Sequence, residues 1–269
     1  MVRTAKLLAL VVASLAVLVT AAPAMAITDG TRDDVHTNVG VVRFTLPEGR
    51  FRCSGTLIAP TVVLTAGHCT EGPATNVYVS FDTDLPLDPL APGISSQERA
   101  RRAAHYITGT AHPDPGWTGK LSLSQQHDQG VVVLDEPATR MWDIAPAPLP
   151  PIGFLDQNQG KLKDETFTLV GYGVDIGDKK TQIVVGERRS TTSFLKNVQD
   201  EVVVFQINDN DSKAGGGSCF GDSGGPVFWG PYVLGDASYV NSLTCNGTGA
   251  YQRVDTTYSR NFLNQFLNP

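Results

Sequence analysis

The stretch Gly217-Ser218-Cys219-Phe220-Gly221-Asp222-Ser223-Gly224-Gly225-Pro226 decides how the rest of this 269-residue chain is read. Glycines at 217, 221, 224 and 225 let the backbone turn tightly and come close to a ligand. One hydroxyl, Ser223, stands among them, and a serine becomes a useful nucleophile only when a base takes its proton. The backbone N–H groups of Gly221 and Ser223 can point into one small space, where an oxyanion would develop on an attacked carbonyl. Read alone, the stretch is equally a glycine-rich surface turn. The residues upstream separate the two.

Gly221-Asp222-Ser223-Gly224-Gly225 also fits the G-x-S-x-G nucleophile elbow, whose fold needs its histidine after the serine. All five histidines (His36, His68, His105, His112, His127) precede Ser223, which excludes the α/β-hydrolase architecture. Thr65-Ala66-Gly67-His68-Cys69 follows an apolar strand. An imidazole, with a pKa of about 6.5, can take a proton from serine and return it to a leaving amine. Asp128 sits just before the apolar run 131–134, either as a turn residue or as a carboxylate holding the second nitrogen of His68. His127 competes for the role of base, but no cysteine beside it fixes its backbone as Cys69 would fix that of His68.

The start of the chain reads as a secretory signal peptide. Arg3 and Lys6 precede an apolar run over 7–19 and an Ala24-Met25-Ala26 ending, so cleavage is expected after Ala26. No later run approaches the roughly 20 apolar residues of a spanning helix. Losing Arg3 and Lys6 takes the net charge from −6 to −8, which speaks against nucleic acid or anionic lipid as partners. Export permits disulfides, and four cysteines allow three pairings. Cys53 and Cys69 bracket one short segment, and Cys219 and Cys245 flank the Ser223 loop, so 53–69 and 219–245 are expected. With no C-x-x-C and no close histidine pair, no metal and no cofactor is expected.

Between these points the chain is a series of short β-rich runs punctuated by Gly, Pro, Asp and Asn. Runs at 39–44, 53–58, 62–65, 77–81, 100–108 and 131–134 form a first half. Proline-rich or Gly/Ser-rich loops cover 82–97 and 112–126. A proline-rich linker over 136–151 leads to runs at 166–173, 182–185, 202–207, 226–229 and 232–239. From Thr257, Tyr258, Phe262, Phe266 and Leu263, Leu267 recur at four-residue spacing, one face of a closing helix. The fold class is all-β, in two halves with a C-terminal helix.

Thr65-Ala66-Gly67-His68-Cys69, Asp128 before an apolar strand, and Gly221-Asp222-Ser223-Gly224-Gly225-Pro226 together resemble the chymotrypsin/trypsin-like serine proteases. Cys53-Ser54-Gly55-Thr56-Leu57-Ile58, Val170-Gly171-Tyr172-Gly173 and Ser238-Tyr239-Val240 extend the resemblance over nearly the whole mature chain. It implies two six-stranded antiparallel β-barrels around an active-site cleft: residues 27–140 as the first, 141–255 as the second, and 256–269 as the helix. It further implies Ser223 as nucleophile, His68 as acid/base, Asp128 as its orienter, and the Gly221 and Ser223 amides as oxyanion donors. Ile27-Thr28-Asp29-Gly30 resembles the family's activated N-terminus, although Thr28 and Asp29 replace the usual Val-Gly. The Ile27 ammonium would then pair with Asp222, and signal cleavage alone would generate the active form.

The resemblance places Gly217 at the base of the specificity pocket, with Ser238, Tyr239, Val240 and Gly249 as walls. Gly217 offers no charge for a Lys or Arg substrate, unless Asp236 reaches in. Val240 would narrow the mouth, favouring a small or medium apolar residue before the cleaved bond. Ser238 and Tyr239 would take the substrate backbone as an added strand. The expected protein is a secreted, extracellular, monomeric serine endopeptidase whose partners are polypeptide substrates and protein inhibitors. The alternative is a non-catalytic protease homologue, acting as a binding or regulatory protein and blocked by loop 82–97 or 112–126. The acidic run Asn208-Asp209-Asn210-Asp211 reads as a solvated loop ahead of a calcium site.

Overall fold

The computed structural model describes residues 27–120, 127–176, 182–184, 186–207 and 215–267. The leader, the end of the 112–126 loop and the 208–211 acidic run lie outside the described residues.

A short strand β1 (Thr31–Arg32) precedes the first barrel, which is built from β2 (Val39–Leu46), β3 (Gly49–Ala59), β4 (Val62–Thr65), β5 (Thr75–Ser80), β6 (Ile107–Pro113) and β7 (Gly130–Leu134). These close in the order β2-β3-β4-β7-β6-β5. Helix α1 (Ser96–Ala103) bridges β5 and β6, and α2 (Phe154–Leu162) leads into the second half. There the strands are β8 (Thr166–Gly171), β9 (Val174–Ile176), β10 (Gln182–Val184), β11 (Arg189–Val198), β12 (Val202–Gln206), β13 (Pro226–Trp229), β14 (Tyr232–Val240) and β15 (Thr248–Arg253). β8, β11, β12, β15, β14 and β13 close the second barrel, β1 extends it at β11, and β9–β10 is a separate hairpin. Helix α3 (Thr257–Leu267) ends the chain, as the four-residue spacing predicts.

The unbroken apolar runs of the first barrel have a simple cause. Successive side chains point to opposite faces of a strand, and here both faces are buried. Val42, Phe44, Val63 and Val132 fill the barrel's interior, while Val39, Val41, Val62, Leu64 and Val131 face outward. The outward set meets Val170, Tyr172 and Phe228 of the second barrel and Phe262 and Leu263 of α3. The second barrel has its own core, in which Phe205 packs edge-on against both Phe167 and Tyr251. Between the barrels lies Arg188, wholly buried, its guanidinium donating to the carbonyls of Asp33, Val39 and Phe81 and to Thr83 Oγ1 and Tyr172 Oη.

One strand expectation needs correction. Residues 100–103 belong to α1, and β6 starts only at Ile107. The helix forms because Ser95 Oγ caps Glu98 N at 3.1 Å, while the Glu98 carboxylate pairs with Arg101 and Arg102 one turn on. Both disulfides form as expected, Cys53–Cys69 and Cys219–Cys245. Among the described residues no helix is long and apolar enough to cross a membrane.

Candidate active site

Strand pairing brings the first two side chains together. β4 and β7 lie antiparallel with Thr65 opposite Gly130, so the residues just past one strand meet those just before the other. His68, in the 3₁₀ turn Gly67–Cys69, thereby faces Asp128. His68 Nδ1 lies 2.9 Å from Asp128 Oδ2 and 3.1 Å from Oδ1, and the His68 backbone N–H donates to Oδ1 at 2.8 Å. The carboxylate is fully buried and Ser238 Oγ donates to it, while Gln252 Oε1 accepts from its backbone N–H at 3.2 Å. Asp128 is thus pinned from several elements at once.

Ser223 arrives from the second barrel on the loop before β13. Its carbonyl accepts from Ser54 N at 2.8 Å, which ties the loop to β3 of the first barrel. Gly221 has φ +96° and Gly224 φ +77°, a region that side chains rarely enter; a Cβ on Gly224 would also lie 2.0 Å from Thr65 Oγ1. The amides of Asp222, Gly224 and Gly225 donate to Cys219, Ala237 and Asp222 carbonyls. Among the described residues the Gly221 and Ser223 amides donate to no protein acceptor. Ser54 Oγ in turn donates to the Gly221 carbonyl at 3.1 Å and accepts from Tyr172 N, fixing the loop from outside.

A cavity of about 400 Å³ opens on this arrangement, with His68 and Ser223 both in its lining. Its other walls include Phe220, Cys219, Ser238, Tyr239 and Val240. Trp117, its ring centroid 6.3 Å from that of His68, closes a further side and donates from Nε1 to Glu71 at 2.6 Å. Trp117 lies in the 112–126 loop, where only its being an aromatic among Gly, Pro and Ser marks it in the sequence. Gly217 and Gly249 lie below the lining. A Cβ on Gly217 would sit 2.0 Å from Ile207 Cβ, and one on Gly249 3.2 Å from Ser218 Oγ and 3.3 Å from Ile207 Cγ2. Ile207, which no sequence motif marks, occupies the space between them.

Two other candidates stand elsewhere. His127 stacks on Tyr258 with ring centroids 4.0 Å apart and its Nδ1 3.2 Å from Glu201, away from the cavity lining. Asp236 is not in the cavity's lining; it is buried, with Oδ1 accepting from Gln129 Nε2 at 3.2 Å and Oδ2 without a partner among the described residues. Burial first, then the nearby Asp128 charge, hold its carboxyl well above the usual carboxylate range.

Asp222, beside Ser223, is also buried. It accepts from Gly173 N at 2.7 Å and Cys219 N at 2.8 Å, and among the described residues it makes no ion pair. Burial outweighs these bonds and pushes its carboxyl up to about 7. Ile27 is buried in the second barrel's core, and Thr28 bridges to Gly217, its N–H donating to the Gly217 carbonyl at 2.9 Å.

The family model described as Trypsin matches residues 27–260, and the chain belongs to the trypsin family. It is 26% identical over 211 residues to a chymotrypsin of Phaedon cochleariae, covering 78% of this chain and 70% of that one. It is 27% identical over 208 residues to brachyurin of Leptuca pugilator, covering 75% and 82% respectively. A solved structure of HL collagenase superposes with a TM-score of 0.65 at 17% identity, over 90% of this chain and 98% of that one. The architecture of two closed barrels and a closing helix is the one such a likeness carries.

Proposed function

We propose that the chain is a secreted serine endopeptidase that cuts peptide bonds through an acyl-enzyme on Ser223. His68 takes the Ser223 proton and later returns it to the leaving amine, and Asp128 holds the imidazole in the required tautomer. The Gly221 and Ser223 amides receive the oxyanion. The observation that carries this reading is His68, gripped by a buried and multiply bonded Asp128 while it shares one open cavity with Ser223. Neither suspected blocking loop supports the non-catalytic alternative: among the described residues, Trp117 and Gly119 border the cavity without filling it, and 82–95 contributes nothing to its lining.

The residue before the cut bond is small or medium and apolar. Ile207 takes up the depth between Gly217 and Gly249, Val240 stands at the wall, and Asp236 is committed elsewhere. Among the described residues a buried substrate cation would find no counter-charge below Ser218. A peptide-library profile with strict Arg or Lys preference would overturn this assignment.

Cleavage before Ile27 activates the enzyme. The freed ammonium pairs with Asp222, whose carboxyl makes no ion pair among the described residues, and so orders the Gly221–Ser223 loop. One residue added before Ile27 is expected to lower kcat/KM by at least about a hundredfold, since loss of a buried pair costs about 3–5 kcal/mol. Full activity of such a chain would reject this step.

The whole reading is tested by an organophosphate label. One equivalent should attach at Ser223, identified by peptide mass, and none in Ser223→Ala. An unlabelled wild-type chain would point to the non-catalytic alternative.

A further inference from the structure

Beyond Gly221, on the side away from Ser238 and Val240, lies a second groove of about 400 Å³ that adjoins the catalytic cavity through a shared wall, Phe220. Among the described residues three guanidinium groups line it, from Arg43, Arg50 and Arg52, against a single carboxylate, Asp88. Arg50 pairs with Asp88, and Arg43 Nη1 lies 4.0 Å from the same oxygen. Arg52 is different: among the described residues it has no carboxylate within ion-pair distance and only a long bond, 3.4 Å, to the Gly173 carbonyl. Its Nε and Nη2 lie 3.6 Å from where a Cβ on Gly221 would stand, so the unpaired charge sits against the oxyanion loop. Burial first, then the neighbouring Arg43, hold this guanidinium below its ordinary pKa, against the opposing pull of the Asp222 carboxyl. On a chain of net charge −6, such a concentration of positive charge is local and placed.

The same groove exposes apolar surface. Phe51 is 43% exposed, Val184 67% and Phe220 39%. Uncovered apolar side chains alternating with cations suit an extended peptide that presents apolar and acidic side chains in turn. The acyl half of a substrate would occupy the Ser238–Val240 side of Ser223, so a chain crossing Gly221 enters this groove with its other half.

We propose that the groove beyond Gly221 binds the leaving-group half of the substrate and selects an acidic side chain there, with Arg52 as its principal partner. This rests on the protease reading above and adds a substrate class to it: polypeptides with Asp or Glu shortly after the cleaved bond. Arg50 and Arg43, already sharing Asp88, contribute field more than direct contact. A carboxylate meeting Arg52 forms a charge-assisted pair where water is partly excluded, which favours it over a neutral amide of the same shape.

Matched peptides that differ only in Glu, Gln or Lys at the two positions after the cut bond test this, using the chain that begins at Ile27. The Glu peptide should be cut about tenfold faster than the Gln peptide in kcat/KM at low salt, with Lys slowest. That ratio should shrink as salt shortens the screening length from about 10 Å to about 3 Å. Arg52→Gln should bring the Glu/Gln ratio close to one, Arg52→Lys should restore part of it, and Arg140→Gln, a distant exposed site, should leave it unchanged. Should Arg52→Gln fail to fold, Arg50→Gln and the wild-type peptide ratios still decide the matter. A short ester substrate with no residues after the bond separates the two readings. Ester turnover with equal Glu and Gln rates overturns the groove alone; no turnover of ester or peptide overturns the protease reading and the groove with it.

Discussion

Asp128 and Asp236 are two buried carboxyls with opposite duties. The Asp128 carboxylate faces an imidazole and two further donors, the His68 backbone N–H and Ser238 Oγ; Asp236 faces Gln129, whose Oε1 is held by Ser259 Oγ at 2.6 Å so that its amide nitrogen points at Asp236. Asp128→Asn should keep the geometry yet lower kcat by about 10⁴, because the amide favours the wrong imidazole tautomer; the serine-protease template sets that magnitude. Steady-state rates on one ester substrate check it. For Asp236 the sign follows from linkage. The unfolded chain loses this proton near its ordinary value of 3.8, whereas the folded chain keeps it well above. Folding therefore takes up a proton, and stability falls as pH rises through that window. Asp236→Asn should gain stability on the wild type as pH rises above the ordinary carboxylate value of 3.8, read as a growing difference in urea midpoints. Parallel midpoints would show that Asp236 is ionised in the folded chain.

At the scale of elements, what could be read in advance depended on periodicity. Strands buried on both faces, such as β4 and β7, are unbroken Val/Leu runs, and α3 shows its four-residue spacing plainly. Its Phe262 is 5% exposed at the seam of both barrels, and Phe262→Ala should cost about 3–4 kcal/mol by denaturant unfolding. β11 carries only scattered apolar residues and pairs with β8, β12 and β1, so its edges are defined by partners distant in sequence. Helix α1 has no buried residue at all; it rests on Ser95 and the Glu98–Arg pairs. Such a helix has no apolar stripe to read, and Ser95→Ala should weaken it by about 1 kcal/mol. The candidate site was legible so far as the proposed chemistry needs named residue types: His68 lies beside Asp128 and lines one cavity with Ser223. Trp117, Ile207, Arg52 and the Ser238–Asp128 bond were not, because each depends on which loop folds over which strand.

The molecule as a whole is two barrels whose shared seam is also the site. Tyr172 Oη donates across it to the Asp82 carbonyl at 2.8 Å, and Arg188 fills it with a charge satisfied by three carbonyl oxygens and two hydroxyls. Arg188→Ala would leave several buried acceptors without donors, and a loss of about 3–5 kcal/mol is expected in unfolding experiments. The proposed site draws His68 from one barrel and Ser223 from the other, so activity should be lost when the barrels shift apart, before they unfold. The most direct measurement is active-site titration of the chain beginning at Ile27 with a chromogenic ester. A burst of about one leaving group per chain, absent in Ser223→Ala, is the result expected of an acyl-enzyme on Ser223. Equal, burst-free release by both proteins would contradict it.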